Sequence, residues 1–395
     1  MRSFGSILDS HKGVGPGFDF ARVFLALSVF AWHCIGIAQG YAIVKFTPFW
    51  FAEFCILPMF FALSGFLVAG SAARLSFGHF LLNRTLRIVP ALAVDIIICA
   101  LILGPIFTTL DLSSYFSHPL FWGYFRNIFG DIHYYLPGVF EQNLSTKVNG
   151  ALWTIPYEIG CYALLSSLLI LRLFKRPLFV GVLAAGLPLL AILFDLMQTD
   201  RHIPQAWEAV LQLVVSNWVG LRLIPAFLMG IFFFQMRHRI IFDWRIAIVS
   251  TGLCLLAAFA GNSSWKGNPF YHLIGMPILT YIVIYIGLCK FPKLPLYSSG
   301  DYSYGIYLYH VPINQTVVSL IPDITPLAMF CVSLPIVTAV AAFSWHFVEK
   351  PILKLRKSAA FAGKKANKKA SIQPAENLIA VPSAGAEQAM MKKMA

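Results

Sequence analysis

Charge is scarce in this sequence, and acids are its rarest part. Asp, Glu, Lys and Arg make up 12% of the 395 residues, with 17 acids against 30 bases. So little charge cannot clothe a soluble domain of this length. None of the seven cysteines forms a C-x-x-C pair, which argues against a metal site or a disulfide framework. Cys34, Cys55, Cys99, Cys161, Cys254, Cys289 and Cys331 all lie in apolar runs and read as packing residues. The alternating ten-residue pattern of an outer-membrane barrel is missing. There is no internal repeat and no second soluble domain. The first apolar run lacks an A-x-A-type cleavage site, so it is expected to remain as a helix rather than leave as a signal peptide.

What is present is apolar. Hydrophobic residues reach 58% and mean hydropathy is +0.73. Backbone polar groups in lipid must be satisfied internally, so the expected fold is all-α: a polytopic transmembrane bundle of about ten spans. The spans are placed at 18–39, 48–71, 88–107, 151–173, 177–195, 222–236, 245–261, 271–289, 304–320 and 326–347. The tract 196–221 is amphipathic, suited to the interface or to an eleventh crossing. A transmembrane domain 1–357 is followed by a basic tail, 358–395, rich in Ala, Lys, Ser, Pro and Gln; it cannot bury a core and is expected to be disordered. The formal charge of +13 does not point to nucleic acid, because it is distributed by side. If the N-terminus is cytoplasmic, the inner connections hold Arg74, Arg84, Arg87, Arg172, Lys175, Arg176, Arg237, Arg239, Arg245, Lys290 and Lys293. The outer ones hold few bases. That asymmetry puts both termini in the cytoplasm.

The first span organises the rest, since it carries Asp19, Arg22 and His33. Arg22 and His33 are eleven positions apart, about three turns, and so share a helix face. Along the axis they differ by roughly 16 Å, which sets His33 near the midplane if Arg22 is at the inner surface. Ionisable groups at that depth face a bundle interior or a wet cavity. The plainer alternative is a snorkelling arginine and a histidine satisfied by a carbonyl.

Further polar groups punctuate later spans. Arg84 and Arg87 share a face at i,i+3 and suit either phosphate binding or simple anchoring. Asp95, two turns on, is expected to pair with an arginine or to line a cavity. Trp153, Tyr157 and Glu158 open the fourth span from the outer side. Counting from that surface brings Glu158 to about the depth of His33, the pairing a proton-transfer site needs. Tyr307 and His310 share a face of the ninth span, and Glu349 at the inner end of the tenth suits an ion pair with an inner arginine. Gly65, in Ser64-Gly65-Phe66 of the second span, permits close helix approach. The outer segment 108–150 is rich in aromatics (Tyr115, Phe116, Phe121, Trp122, Tyr124, Tyr134, Tyr135), fitting an interfacial lid, a sugar-stacking surface or both.

Six patches taken in order resemble the acyltransferase-3 family of integral membrane O-acyltransferases. They are Arg22 with His33, Phe60-Phe61-Ala62-Leu63-Ser64-Gly65-Phe66, Arg84 to Pro90, Trp153 to Glu158, Ser303-Tyr304 to Tyr307-Leu308-Tyr309-His310, and Glu349-Lys350-Pro351. Two departures are visible: Phe18-Asp19-Phe20-Ala21-Arg22 replaces the commoner Leu-Asp-Gly-Leu-Arg, and a single Glu158 stands where many members have two acids.

The resemblance implies transfer of an acyl group, usually acetyl, from cytoplasmic acyl-CoA to a hydroxyl of a cell-surface or exported glycan or glycolipid. The setting is the bacterial inner membrane. Acetyl-CoA would be a donor substrate rather than a resident cofactor, and neither a metal nor nucleic acid is implied. His33, Glu158 and Arg22 would be catalytic, either by direct general-base transfer or through an acyl-histidine. Arg84, Arg87, Tyr307, His310, Trp153 and Tyr157 would bind substrates. The competing expectation is a proton-coupled transporter or flippase of a glycolipid or acylated metabolite, with Asp95, Glu158 and His33 as a relay.

Overall fold

The computed structural model describes residues 2–75, 77–199, 218–292 and 300–354. The middle of the amphipathic tract, 200–217, and the tail 358–395 lie outside the described residues. Among those described, all regular structure is helical, with only two isolated bridges, Ser3 to Ile241 and Thr108 to Val139.

A short helix α1 (Phe4–Ser10) precedes α2 (Phe18–Ala38), α3 (Trp50–Ala72) and α4 (Phe77–Ile98). The last continues through a π-turn, Cys99–Leu103, to Phe107. After a long connection come α5 (Ile155–Ile170), entered through the 3₁₀ turn Gly150–Thr154, and α6 (Pro177–Thr199). Then follow α7 (Leu223–Gln235), α8 (Trp244–Ala260), α9 (Pro269–Leu288), α10 (Ser303–Leu320) and α11 (Pro326–Phe343), whose end runs into a π-turn, Ser344–Glu349. Ten of these coincide with the ten expected spans, and the protein is a multi-pass membrane bundle. Among the described residues seven helices are long and apolar enough to cross a bilayer; α10 is not one of them, and α7 and α8 are shorter. The largest boundary difference is in α4, which starts at Phe77 rather than 88. Arg84 and Arg87 suggested a membrane edge, but both sit inside the helix, where Arg87 is ion-paired and Arg84 lies over the Tyr162 ring.

Helix α10 is the axis of the bundle. Its buried residues lie on all sides, from Ser303 through His310 and Asn314 to Val317. A helix buried all round needs internal partners for its polar groups, and α10 packs on α2, α4 and α11. Gln315 Nε2 donates to the carbonyls of Ser145 and Lys147 at 2.9 and 2.8 Å. Asn143 Nδ2 donates back to the Gln315 side chain at 2.9 Å. These bonds fasten the connection between α4 and α5 to the bundle core.

That connection only partly fits the expected lid. Tyr115, Phe121 and Tyr124 are core residues, and the Tyr115 hydroxyl donates to the Ala100 carbonyl at 2.7 Å. Trp122 and Phe129 stay outside. Half of the aromatic signal was therefore hydrophobic packing.

The crossing of α3 and α7 depends on two glycines. A Cβ on Gly65 would strike the Phe227 carbonyl oxygen, and one on Gly230 would strike the Ala62 carbonyl. Backbone lies against backbone here, so no side chain can rotate away. Gly65→Leu is therefore expected to destabilise the bundle by about 3 kcal/mol or more, the upper range for overpacking a close contact. Thermal unfolding in detergent checks this; an unchanged midpoint would contradict the packing described.

Candidate functional site

Two polar clusters lie at different heights along α10: Asp301, just before the helix, with Tyr304 in its first turn, and Tyr307 with His310 further along. At about 1.5 Å per residue the first and last differ by roughly 13 Å in height. The lower cluster is ionic and the upper one is an imidazole pair beside a cavity.

In the ionic cluster, Asp301 Oδ2 accepts from Arg22 Nη1 at 2.5 Å and from Arg87 Nη2 at 2.8 Å. Arg87 also pairs through Nη1 with Glu349 Oε2 at 2.8 Å, and Glu349 is 1% exposed. The guanidinium of Arg87 lies 5.5 Å from the ring centroids of both Tyr304 and Trp345. Burial pushes the Asp301 carboxyl up, but Arg22 and Arg87 more than reverse this and hold it well below the usual carboxylate range. The sign follows: a depressed carboxyl contributes its stability above the unfolded value, near pH 4, and loses it only on strong acidification. At neutral pH the cluster is fully ionised at Asp301.

Sequence reading anticipated the Arg87–Glu349 type of ion pair but missed Asp301. Two arginines inside a membrane domain require a counter-charge, and an acid flanking the start of α10 was the available signal.

Arg84, one turn before Arg87, differs from it. Its guanidinium lies 5.8 Å from the Tyr162 ring centroid, its Nε is buried without a hydrogen-bond partner, and it makes no ion pair among the described residues. Tyr162 in turn donates to Glu158 Oε1 at 2.6 Å. Glu158 is half-buried, and electrostatically it faces Arg84, Arg87 and Arg22. No hydrogen bond joins it to His33. Thr154, one turn before Glu158 on a chain running opposite to α10, already meets Tyr307, so Glu158 falls toward the ionic cluster.

The imidazole pair joins α2 to α10. His310 Nε2 and His33 Nδ1 are 2.8 Å apart. His310 Nδ1 lies 3.0 Å from the Ile306 carbonyl, and His33 Nδ1 lies 3.1 Å from the Val29 carbonyl. Carbonyls only accept, so with both rings neutral the tautomers follow. His310 carries its hydrogen on Nδ1 and accepts at Nε2; His33 carries its hydrogen on Nδ1, shared between His310 and Val29. Nε2 of His33 is then left with an unprotonated lone pair. Such a nitrogen can take a proton from a nearby hydroxyl.

His33 lines a cavity of about 290 Å³ together with Trp32, Tyr41, Glu53, Trp153, Arg222 and Tyr307, among others. The Tyr307 hydroxyl bonds Thr154 Oγ1 at 2.5 Å and the Ala151 carbonyl at 3.2 Å. Trp153 packs edge-on against Tyr157, whose ring covers Gly220 outside the cavity. Arg222, at the N-cap of α7, is 1% exposed, and its Nη2 donates to the Glu53 carbonyl at 3.2 Å.

Of the residues singled out in the sequence, the structure brings His33, His310, Tyr307 and Trp153 together. Arg22 and Arg87 meet through Asp301, Arg84 and Glu158 meet through Tyr162, and Tyr157 stands behind Trp153. Asp95 pairs with no arginine among the described residues: it accepts from Asn149 Nδ2 at 2.9 Å, and Asn149 also reaches the Leu308 carbonyl. Tyr41, Glu53 and Arg222 were missed as cavity residues because they come from helix ends far apart in the chain.

A family model described as "Acyltransferase domain" matches residues 16–346. A protein named "O-acetyl transferase" of Shigella phage Sf6 is 27% identical over 350 residues, covering 85% of this chain and 95% of the relative. "Nodulation protein 10" of Rhizobium leguminosarum bv. viciae is 28% identical over 376 residues, covering 88% of this chain and 95% of the relative. No solved structure matches.

Proposed function

This chain belongs to the acyltransferase family whose model spans residues 16–346, and from that premise we propose that it carries an acyl group, acetyl foremost, from acyl-CoA to a hydroxyl of a cell-surface or exported glycan or glycolipid. It is an O-acyltransferase. The observation that carries the mechanistic reading is the oriented imidazole of His33 on the wall of a cavity. The acceptor hydroxyl gives its proton to His33 Nε2 as its oxygen attacks the thioester carbonyl. The tetrahedral intermediate collapses, the C–S bond breaks, and the thiolate leaves as coenzyme A with the proton returned by His33. His310 keeps the Nδ1 hydrogen of His33 in place and accepts a stronger bond from it when the ring becomes cationic. Tyr307, which packs on His310 and lines the same cavity as His33, offers a hydroxyl toward the reacting carbonyl in this scheme.

On the donor side, Arg84 is the arginine free to meet a phosphate, since Arg87 is committed to two carboxylates. With the basic ends of the helices in the cytoplasm, as charge asymmetry favours, donor and acceptor approach from opposite faces. Glu158, beside Arg84 and Tyr162, belongs to the donor half in this scheme.

The test is direct. Purified protein in nanodiscs, given labelled acetyl-CoA and a panel of bacterial polysaccharides and chito-oligosaccharides, is expected to lose thioester only when an acceptor is present and to label that acceptor. Acceptor-independent uptake with no label transferred would overturn the reading. In the same assay His310→Leu is expected to lower kcat by about tenfold to a hundredfold, less than the roughly 10²–10⁴-fold contribution of the base it orients. His310→Gln, which keeps an acceptor for His33 Nδ1–H, is expected to recover part of that loss.

A further inference from the structure

The cavity above His33 has features that acyl transfer alone does not require. Its volume of about 290 Å³ equals the space of about ten waters at ~30 Å³ each, close to the non-hydrogen atoms of a single hexose. It is at the small end for ligand pockets, too small for an extended oligosaccharide. Its mouth is built by a local device. Gly40 takes φ 78°, a backbone conformation that L side chains rarely adopt, and turns the chain back after α2. Tyr41 then lies over Gly36, where any Cβ would strike its ring, and stacks on Trp32 at 5.2 Å and 23°. Tyr41 is 40% exposed, whereas Tyr307, at the inner wall, is 8% exposed, so the cavity runs inward from an aromatic rim.

The rest of the lining is mixed: Val29, Ala52, Ile56 and Leu57 are apolar, and Glu53 and Arg222 are charged. Glu53 lines the cavity between Tyr41 and Arg222, each of which it influences electrostatically. An acyl chain would pack on the apolar residues but offers no hydrogen-bond donor to the Glu53 carboxylate on the wall. A sugar ring presents the opposite chemistry. Its C–H face packs on aromatic rings, while its hydroxyls donate to a carboxylate, an acceptor with two oxygens.

We infer that this cavity is the acceptor subsite, shaped for one pyranose ring, with Trp32 and Tyr41 as the stacking rim and Glu53 as the group that receives ring hydroxyls. The inference rests on the acyl-transfer reading and assigns its acceptor side. The ring enters past Tyr41, and the hydroxyl to be acylated points down to His33. Selectivity then lies in Glu53, because a site built to receive a hydroxyl strongly rejects rings lacking it.

Binding can be read without turnover. Saturation-transfer NMR on the full-length protein in nanodiscs would use methyl α-D-glucopyranoside, methyl α-L-rhamnopyranoside and methyl β-N-acetylglucosaminide as probes, with acetyl-CoA affinity measured in parallel. At least one glycoside is expected to bind the wild type. Tyr41→Ala and the isosteric Glu53→Gln should each weaken it tenfold or more and leave acetyl-CoA affinity unchanged. Gly36→Ala, which displaces Tyr41 without entering the cavity, should reproduce the Tyr41→Ala loss. Absence of binding to all three probes, or variants that alter acetyl-CoA affinity instead, would overturn the assignment. The two readings fail differently: a sound subsite in a protein that is not a transferase binds glycoside without losing thioester, whereas a misassigned subsite leaves acylation of polymer intact in Glu53→Gln.

Discussion

His33→Ala is expected to lower kcat/KM for acyl transfer by about 10²–10⁴-fold, the usual contribution of a positioned general base, while the protein remains folded in the membrane. The fold should tolerate the change because His33 is half-buried at a cavity wall rather than packed in a core. Its loss leaves the buried Nε2 of His310 without its hydrogen bond, a cost of about 1–3 kcal/mol. Thioester loss and acceptor labelling measure the first effect; size-exclusion profile and thermal midpoint in detergent measure the second. An alanine variant with near-normal turnover would remove His33 from the reaction. A variant that aggregates is controlled by His33→Gln, which keeps a donor toward His310 and a similar volume. That variant should fold normally and still be slow, because an amide nitrogen cannot act as the base.

The second large effect is on stability. Arg87→Ala is expected to cost about 3–5 kcal/mol, since it strips a buried Glu349 and half of the Asp301 pairing of their partner and leaves uncompensated charge. The guanidinium also holds α4, α10 and the end of α11 together through three different elements. Arg84→Ala, one turn away, should cost far less, because Arg84 is in no ion pair among the described residues and only lies over Tyr162. Its effect should fall on donor binding, as a rise in KM for acetyl-CoA of about tenfold, the value of one lost charge-assisted contact of roughly 1.5 kcal/mol. The pair is therefore diagnostic. Thermal unfolding separates the two variants in one direction and donor KM in the other. If both variants unfold alike, or if Arg87→Ala is stable and merely binds acetyl-CoA poorly, the division of labour drawn from the geometry is wrong.

Much of this protein was legible without coordinates. Hydropathy alone located ten helices, because a chain in lipid has few ways to satisfy its backbone and each span needs a long apolar run. The positions of His33, Tyr307 and His310 within their helices followed from helical periodicity. Gly65 could be marked as a contact because small residues at membrane crossings have few other uses. Charge, in contrast, misled wherever its partner lay elsewhere in the chain. Arg87 looked like a phosphate ligand because nothing near it in sequence shows that Asp301 and Glu349 are its neighbours. Asp95 looked like a relay acid because Asn149, which holds it, is 54 residues away. Glu158 was paired with His33 on a depth count, whereas the structure shows it accepting from Tyr162.

Composition and periodicity by themselves determined that this is an all-helical membrane domain and which of its helices carry ionisable groups, since those properties are set by each segment's own contact with lipid. Only the tertiary structure decided who meets whom: that one imidazole orients another, that two arginines share one aspartate, and that residues from the ends of three helices enclose a single cavity. Hydrogen bonds and ion pairs act over a few ångströms between segments hundreds of residues apart, and no local pattern encodes that separation.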